Sequence, residues 1–143
     1  MADGSVRVRV HALVLCDAVE ELPGEENLFN LNGVRTQVRA RSFPYFHPQL
    51  CAFFQVTGHD ETASGHLALV READDTEILQ ISIEEFQLSG PLQIILKWIE
   101  ILDCEFPEPG VYWFQVVLNG KLVTERRFHV IASPGDSDGQ PLE

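Results

Sequence analysis

What this sequence has least of decides what it is not. Three cysteines, Cys16, Cys51 and Cys104, occur in 143 residues. The number is odd, the spacings are wide and no Cys-x-x-Cys pair occurs. A disulfide scaffold, a zinc ribbon and a thioredoxin-like pair therefore lack their thiols. Each cysteine stands in an apolar stretch and is expected to act as a small buried hydrophobe in a reducing compartment. Long apolar runs are missing too. The longest, Leu92 to Leu102, is broken by Gln93, Lys97 and Glu100, short of the ~18 residues that span a bilayer. The opening Val6-Arg7-Val8-Arg9-Val10 is charged at every second residue, which leaves no signal-peptide core. The expected location is the cytoplasm. Positive charge is scarce: 10 basic against 22 acidic residues, a formal net charge of −12. Such a surface repels phosphate backbones and anionic headgroups, so neither nucleic acid nor membrane is expected as a partner. The bland consequence of the acidity is solubility, and the sharper one is an acidic patch that meets a basic partner.

Chemical motifs are equally sparse. Gly90, Gly110 and Gly120 are isolated turn glycines, not a phosphate loop. No serine sits in a Gly-x-Ser-x-Gly elbow. Cys16 is followed by Asp17, with no base beside it to activate the thiol. The paired acids Glu20-Glu21, Glu25-Glu26, Asp74-Asp75 and Glu84-Glu85 lack the alternate spacing of a calcium loop. The nearest approach to a metal site is His59-Asp60 with His66, with His47 or Glu61 as further ligands. That spacing matches no established motif. No catalytic, cofactor-binding or metal residue is assigned, and the expectation is a protein that is not an enzyme and carries no cofactor.

What is present is alternation. Successive side chains of a strand point to opposite faces, so period-two patterning reads as strand. Val6 to Cys16 alternates, with Leu13 and Leu15 greasing the second face near the end, as in a strand that becomes covered on both sides. Asp17 to Asn27, with Pro23-Gly24 and four glutamates, reads as an exposed loop. Leu28 to Ala40 changes phase at Asn32-Gly33, by a bulge or by a tight turn into a separate short strand. Phe43-Pro-Tyr-Phe-His-Pro48 reads as a rigid loop carrying three aromatics. Leu50, Ala52, Phe54 and Val56 form one face of the next strand. Gly58 to Gly65 reads as a polar connection. Leu67 and Leu69 mark a further strand, Ala73 to Thr76 a turn, and Leu79, Ile81 and Ile83 another strand. Leu92 to Leu102 fits a strand buried on both faces, and a short helix is the alternative. Tyr112, Phe114, Val116 and Leu118 alternate up to Asn119-Gly120, the strongest short hairpin signal. Leu122, Phe128 and Val130 face inward on the return. Trp98 and Trp113 are expected in the core. About eight short strands separated by turns predict an all-β, single antiparallel β-sandwich over residues 1–132. Residues 133–143 form an acidic tail expected to be disordered.

Six landmarks carry a resemblance: Leu15-Cys16-Asp17, Leu28 through Val34, Phe43-Pro44, Val56-Thr57-Gly58, Phe106 through Tyr112, and Asn119-Gly120. In these the chain resembles, over Val10 to Ile131, a bacterial domain-of-unknown-function family of small sandwiches. Its Gly110-x-Tyr112 strand also resembles immunoglobulin-like and fibronectin-like sandwiches. The resemblance implies that architecture and implies no activity, cofactor or catalytic residue.

Two features point to binding. Phe43, Tyr45 and Phe46 would form a rigid aromatic tip able to anchor an interface. Arg35, Arg39 and Arg41 share a parity, as do Arg7 and Arg9, and pairing of those strands would lay a small basic stripe on an acidic protein. The function expected is a non-enzymatic protein-binding or accessory module that uses loops at one end or an exposed strand edge. Its partner would be another protein or its own copy. A small-ligand or carbohydrate-binding sandwich is the alternative, and an enzyme with an unrecognised site the second.

Overall fold

A computed structural model describes residues 8–134. Among these there are eight strands and no helix: β1 Arg9–Cys16, β2 Ala18–Glu21, β3 Phe29–Asn32, β4 Gln37–Ala40, β5 Tyr45–Arg71, β6 Thr76–Phe106, β7 Gly110–Leu118 and β8 Lys121–Ala132. The expected acidic tail falls largely outside the described residues, as does Arg7.

Two very long strands organise everything else. β5 has 27 residues and β6 has 31, paired antiparallel from Tyr45↔Phe106 to Arg71↔Thr76. One edge of β5 is shared: its first half pairs with β1 and its second half with β7. Its other edge belongs to β6 throughout. The order β1-β5-β7-β8-β4, with β6 also on β5, makes one six-stranded sheet. β2 and β3 form a separate two-stranded sheet. The large sheet curls because the long hairpin bends where its register slips, between Val56 and Glu61 and again between Ala63 and Gly65. At Gly65 the backbone of β7 comes so close that an added Cβ would sit 1.8 Å from the Val117 carbonyl oxygen. β4 runs parallel to β8, and a Leu15↔Arg35 bridge brings the chain just before β4 back to β1.

The inside of the curl is the core. Leu50, Ala52, Phe54 and Val56 are fully buried, as the alternation predicts, and so are Tyr112, Phe114 and Val116. Phe106 stacks on Phe128 at 5.7 Å and meets Tyr112 edge-on at 5.2 Å, while Phe114 meets Phe128 edge-on at 5.4 Å. Each such pair contributes about 0.5–1.5 kcal/mol beyond area burial. Asn119 and Gly120 both have positive φ, +50° and +81°, which closes the β7–β8 hairpin as the type I′ signal requires.

Several expectations are corrected. Continuous strands, not two clearly separate facing sheets, build the fold, because β5 and β6 pass through the bend unbroken. Gly58 to Gly65 is strand: its backbone pairs with β6 while His59, Asp60, Thr62 and Ser64 stay exposed. Leu92 to Leu102 is strand, so the helix alternative is overturned, but one of its faces is exposed. The phase change at Asn32-Gly33 is the turn, not the bulge, since β3 ends there and Gly33 has φ +71°. Tyr45 to Pro48 belongs to β5 and is not a loop, although Pro48 makes no register pair. Leu122 is 52% exposed, because the ladder slips by one residue between Val116↔Thr124 and Val117↔Leu122. Neither tryptophan is in the core. Trp98 is 38% exposed, and Trp113 is half-buried with its indole N–H donating to Glu72 at 2.7 Å.

Candidate functional site

The end of β1 assembles a polar cluster from three segments far apart in sequence. After Cys16 the chain turns, and the Asp17 N–H donates to the Asn32 and Gly33 carbonyls at 2.9 and 3.1 Å. Arg35 N–H donates to Leu15 O at 2.8 Å. These bonds place the Arg35 guanidinium on the Asp17 carboxylate. From β5, His47 brings Nε2 to 3.1 Å from Asp17 Oδ1, and its Nδ1 lies 2.9 Å from Tyr45 Oη. Nε2–H donating to the carboxylate and the Tyr45 hydroxyl donating to Nδ1 satisfies all three groups. Gln49 Nε2 donates to the Asp17 carbonyl at 3.1 Å. His47 is buried, while Asp17 and Arg35 each keep about a third of their side chains exposed, 36% and 32%. Burial alone would raise the Asp17 carboxyl, but the bonds from Arg35 and His47 outweigh it and hold the group below its ordinary 3.8. A carboxylate held this way fixes the imidazole tautomer and ties the β3–β4 connection to the long hairpin.

The residues singled out in the sequence fall in different places. Arg35 is engaged by Asp17. Arg39 lies exposed on β4, and Arg41 is exposed just after it. Arg9 lies at the start of β1, which meets the β4 segment only through the Leu15↔Arg35 bridge, so no continuous basic stripe forms among the described residues. Phe43, which precedes a cis peptide bond to Pro44, packs against the core, and so does Tyr45. Phe46 alone of the three aromatics is exposed, at 50%. His59 and Asp60 are exposed, and Asp60 accepts from Gln87 at 2.9 Å. Glu61 has one buried carboxylate oxygen without a hydrogen-bond partner, but no three potential metal ligands gather among the described residues. A depression of about 360 Å³ lies among Thr36, Gln37, Val111, Arg127 and His129.

A second feature lies on the outer side of the β1–β5–β6 layer. Cross-strand register aligns Val14, Phe53 and Trp98 in one row, and Cys16, Cys51 and Glu100 in the next. The β2–β3 hairpin folds over part of this face. Its Phe29 meets Phe53 edge-on at 5.9 Å and Trp98 at 5.1 Å. Beyond Phe29 the cover stops. Leu92 (97% exposed), Ile94, Trp98 and Leu102 (64% exposed) stand in solvent along β6. β6 pairs with β5 only, so its other edge is unpaired among the described residues. The even-numbered apolar positions of this ridge are legible in the sequence; that nothing covers them is not.

The sequence matches the model of a family of unknown function, DUF6941, over residues 11–131. No curated protein matches it. Among solved structures, an alkylpurine DNA glycosylase, AlkC of Pseudomonas fluorescens bound to DNA with an abasic site analogue, is similar to 88% of this chain at 12% identity and a TM-score of 0.58. A β-glucosidase of Listeria innocua in complex with glucose is similar over 86% of the chain at 10% identity and a TM-score of 0.44. The chain spans 31% and 16% of those two proteins. The first likeness is one of fold.

Proposed function

The chain belongs to the DUF6941 family, whose function is unknown, so its role is read from its own surface, and we propose that it is a non-enzymatic protein-binding module. Its binding surface is the outer edge of β6 from Leu92 to Leu102. The observation that carries this reading is the group of four large apolar side chains, Leu92, Ile94, Trp98 and Leu102, exposed along a strand paired on one side only. Exposed apolar patches on an unpaired edge invite strand addition or aggregation, and proteins normally blunt them. Here the blunting is partial. Four β6 residues, 91–94, stand opposite one β5 residue between Val56↔Ile95 and Gly58↔Gly90, and such a bulge discourages indiscriminate pairing. Lys97 turns to the other face, its ammonium 4.5 Å from the Phe86 ring centre. The edge from Trp98 to Leu102 keeps a regular register with β5.

The finer architecture belongs to the same reading: an immunoglobulin-like sandwich in which β5 and β6 cross from one layer to the other. Support comes from Tyr112 near the start of β7. Its hydroxyl donates to the Glu108 carbonyl at 2.6 Å, the tyrosine-corner arrangement of such folds. Three buried free cysteines support a reducing, cytoplasmic setting. A net charge of −12 disfavours nucleic acid as the partner.

Site-specific photo-crosslinking in the producing cells tests the proposal. A photoreactive phenylalanine analogue at position 94 or 102 is expected to capture one and the same protein. That adduct should vanish when Trp98→Glu is added, and position 77 on the far half of β6 should not give it. Adducts that are equally frequent at position 77, or none at 94 and 102, would overturn it.

A further inference from the structure

The ridge is not chemically uniform, and its rim identifies what docks on it. Resting on the reading above, we infer that the partner presents an extended segment with alternating apolar side chains flanked by lysine or arginine. Phe29, the first residue of β3, packs on Trp98 and is the register partner of Glu21, the last residue of β2. The loop between them therefore starts beside the ridge. Glu21, Glu25 and Glu26 line a depression of about 510 Å³ there, together with Leu22, Pro23 and Gly24. All three glutamates are exposed.

On β6 itself, Glu100 stands exposed between Trp98 and Leu102 on the same face, and Asp103 is exposed directly after. The one base within Leu92–Phe106, Lys97, is drawn to Phe86 on the opposite face. Acidic side chains thus stand both beside the apolar ridge, in the β2–β3 loop, and within it, at Glu100, with no cation facing the incoming chain from β6. Apolar side chains of a partner strand would meet Ile94, Trp98 and Leu102, and its basic side chains would meet Glu21, Glu25 and Glu26 beside the ridge and Glu100 within it. Charge complementarity of this kind steers encounter and sets register. The same distribution counts against a second copy as the occupant. Two molecules of net charge −12 would bring Glu100 and Asp103 of each edge into the same contact.

Selection of a random dodecapeptide library on the intact chain tests the inference. Counter-selection uses the double variant Ile94→Glu, Leu102→Glu, whose fold is checked by circular dichroism and melting temperature. Glutamate is chosen because it removes the apolar contact while adding negative charge, so weaker binding of a basic peptide cannot come from lost attraction. Expected winners alternate apolar residues, carry flanking Lys or Arg, and bind the double variant at least about tenfold more weakly. Their affinity should also fall when their basic residues are replaced by Glu and when salt is raised. Ridge-dependent winners that are acidic or uncharged would overturn the basic-partner inference and leave the docking surface standing. Basic winners indifferent to the double variant would reduce the effect to net charge and overturn it as well. An absence of ridge-dependent winners would sink both readings. Self-association in sedimentation velocity that the double variant abolishes would make a second copy the occupant, which also overturns the inference.

Discussion

The Asp17 carboxylate grips the Arg35 guanidinium at two points, Nε to Oδ1 at 2.6 Å and Nη2 to Oδ2 at 3.0 Å. Eighteen positions separate the two residues, and the same Oδ1 also receives His47. Three parts of the chain are thus joined by one side chain. Asp17→Ala leaves a guanidinium and a buried imidazole without their acceptor. Charge-assisted bonds to partly buried groups are worth about 1.5–3 kcal/mol each before solvent screening. The expected loss, discounted for exposure, is about 2 kcal/mol, read as a lower urea midpoint with unchanged slope. Asp17→Asn should fall between the two.

The same carboxylate sets an acid limb. Its folded pKa lies below the ordinary 3.8, so the folded state binds its proton less readily than the unfolded chain. The stability it contributes is present above the ordinary carboxylate value and is lost as pH falls through that value toward the folded one. Urea midpoints measured from pH 6 downward should therefore fall more steeply for the wild type than for Asp17→Asn. Parallel acid limbs would refute the assignment.

Burial makes the thiols a probe of the opposite limb. It pushes Cys16 up to about 11, with Cys51 beside it adding to the rise, and Cys104 up to about 12, each from an ordinary 9.0. Because the folded values are raised, the stability these groups contribute is full below pH 9 and is lost as pH climbs toward 11 and 12. At neutral pH all three should resist a disulfide reagent in the native state and react together once the chain unfolds. A single thiol reacting fast in the folded protein would contradict the burial of all three.

Two glycines separate steric need from conformational need. At Gly65 an added methyl would meet the Val117 carbonyl, a backbone atom that cannot swing aside. Gly65→Ala is expected to cost about 3 kcal/mol or more, since β5 and β7 must part. At Gly120 the space is open and only the positive φ resists. Gly120→Ala should cost about 1 kcal/mol. Thermal melts of the pair, compared side by side, check the order.

Legibility in the sequence followed the range of the interaction. Period-two runs such as Leu50–Val56 and Tyr112–Leu118 are local, and they identified their buried faces correctly. So did Asn119-Gly120, whose turn depends only on its own two residues. The stretch Gly58–Gly65 reads as loop because its side chains are polar, yet pairing with β6 along one edge holds its backbone in strand. Leu122 was misplaced by a one-residue slip that the sequence does not mark. Trp98 and Trp113 are half-apolar, half-polar side chains, and their burial depends on which neighbour happens to cover them. The Asp17–Arg35–His47–Tyr45 cluster carries no motif at all. Its members meet only because β1 and the first half of β5 pair in one register, Cys16 opposite Cys51.

That dependence on cover, rather than on composition, gives the last prediction. Leu92 is almost fully exposed and Leu102 largely so, so neither contributes to the core. Polar substitution removes little buried area, and Leu92→Ser with Leu102→Ser should shift stability by no more than about 0.5 kcal/mol. Phe53, on the central strand β5 and covered by Phe29, is the control. It is 6% exposed, and Phe53→Ser should cost about 3–5 kcal/mol. If the ridge leucines were instead part of an intramolecular interface, their loss would destabilise the chain by a comparable amount. A neutral double variant that also loses binding of an environment-sensitive apolar dye would place these side chains where a partner, not the protein's own core, is meant to meet them.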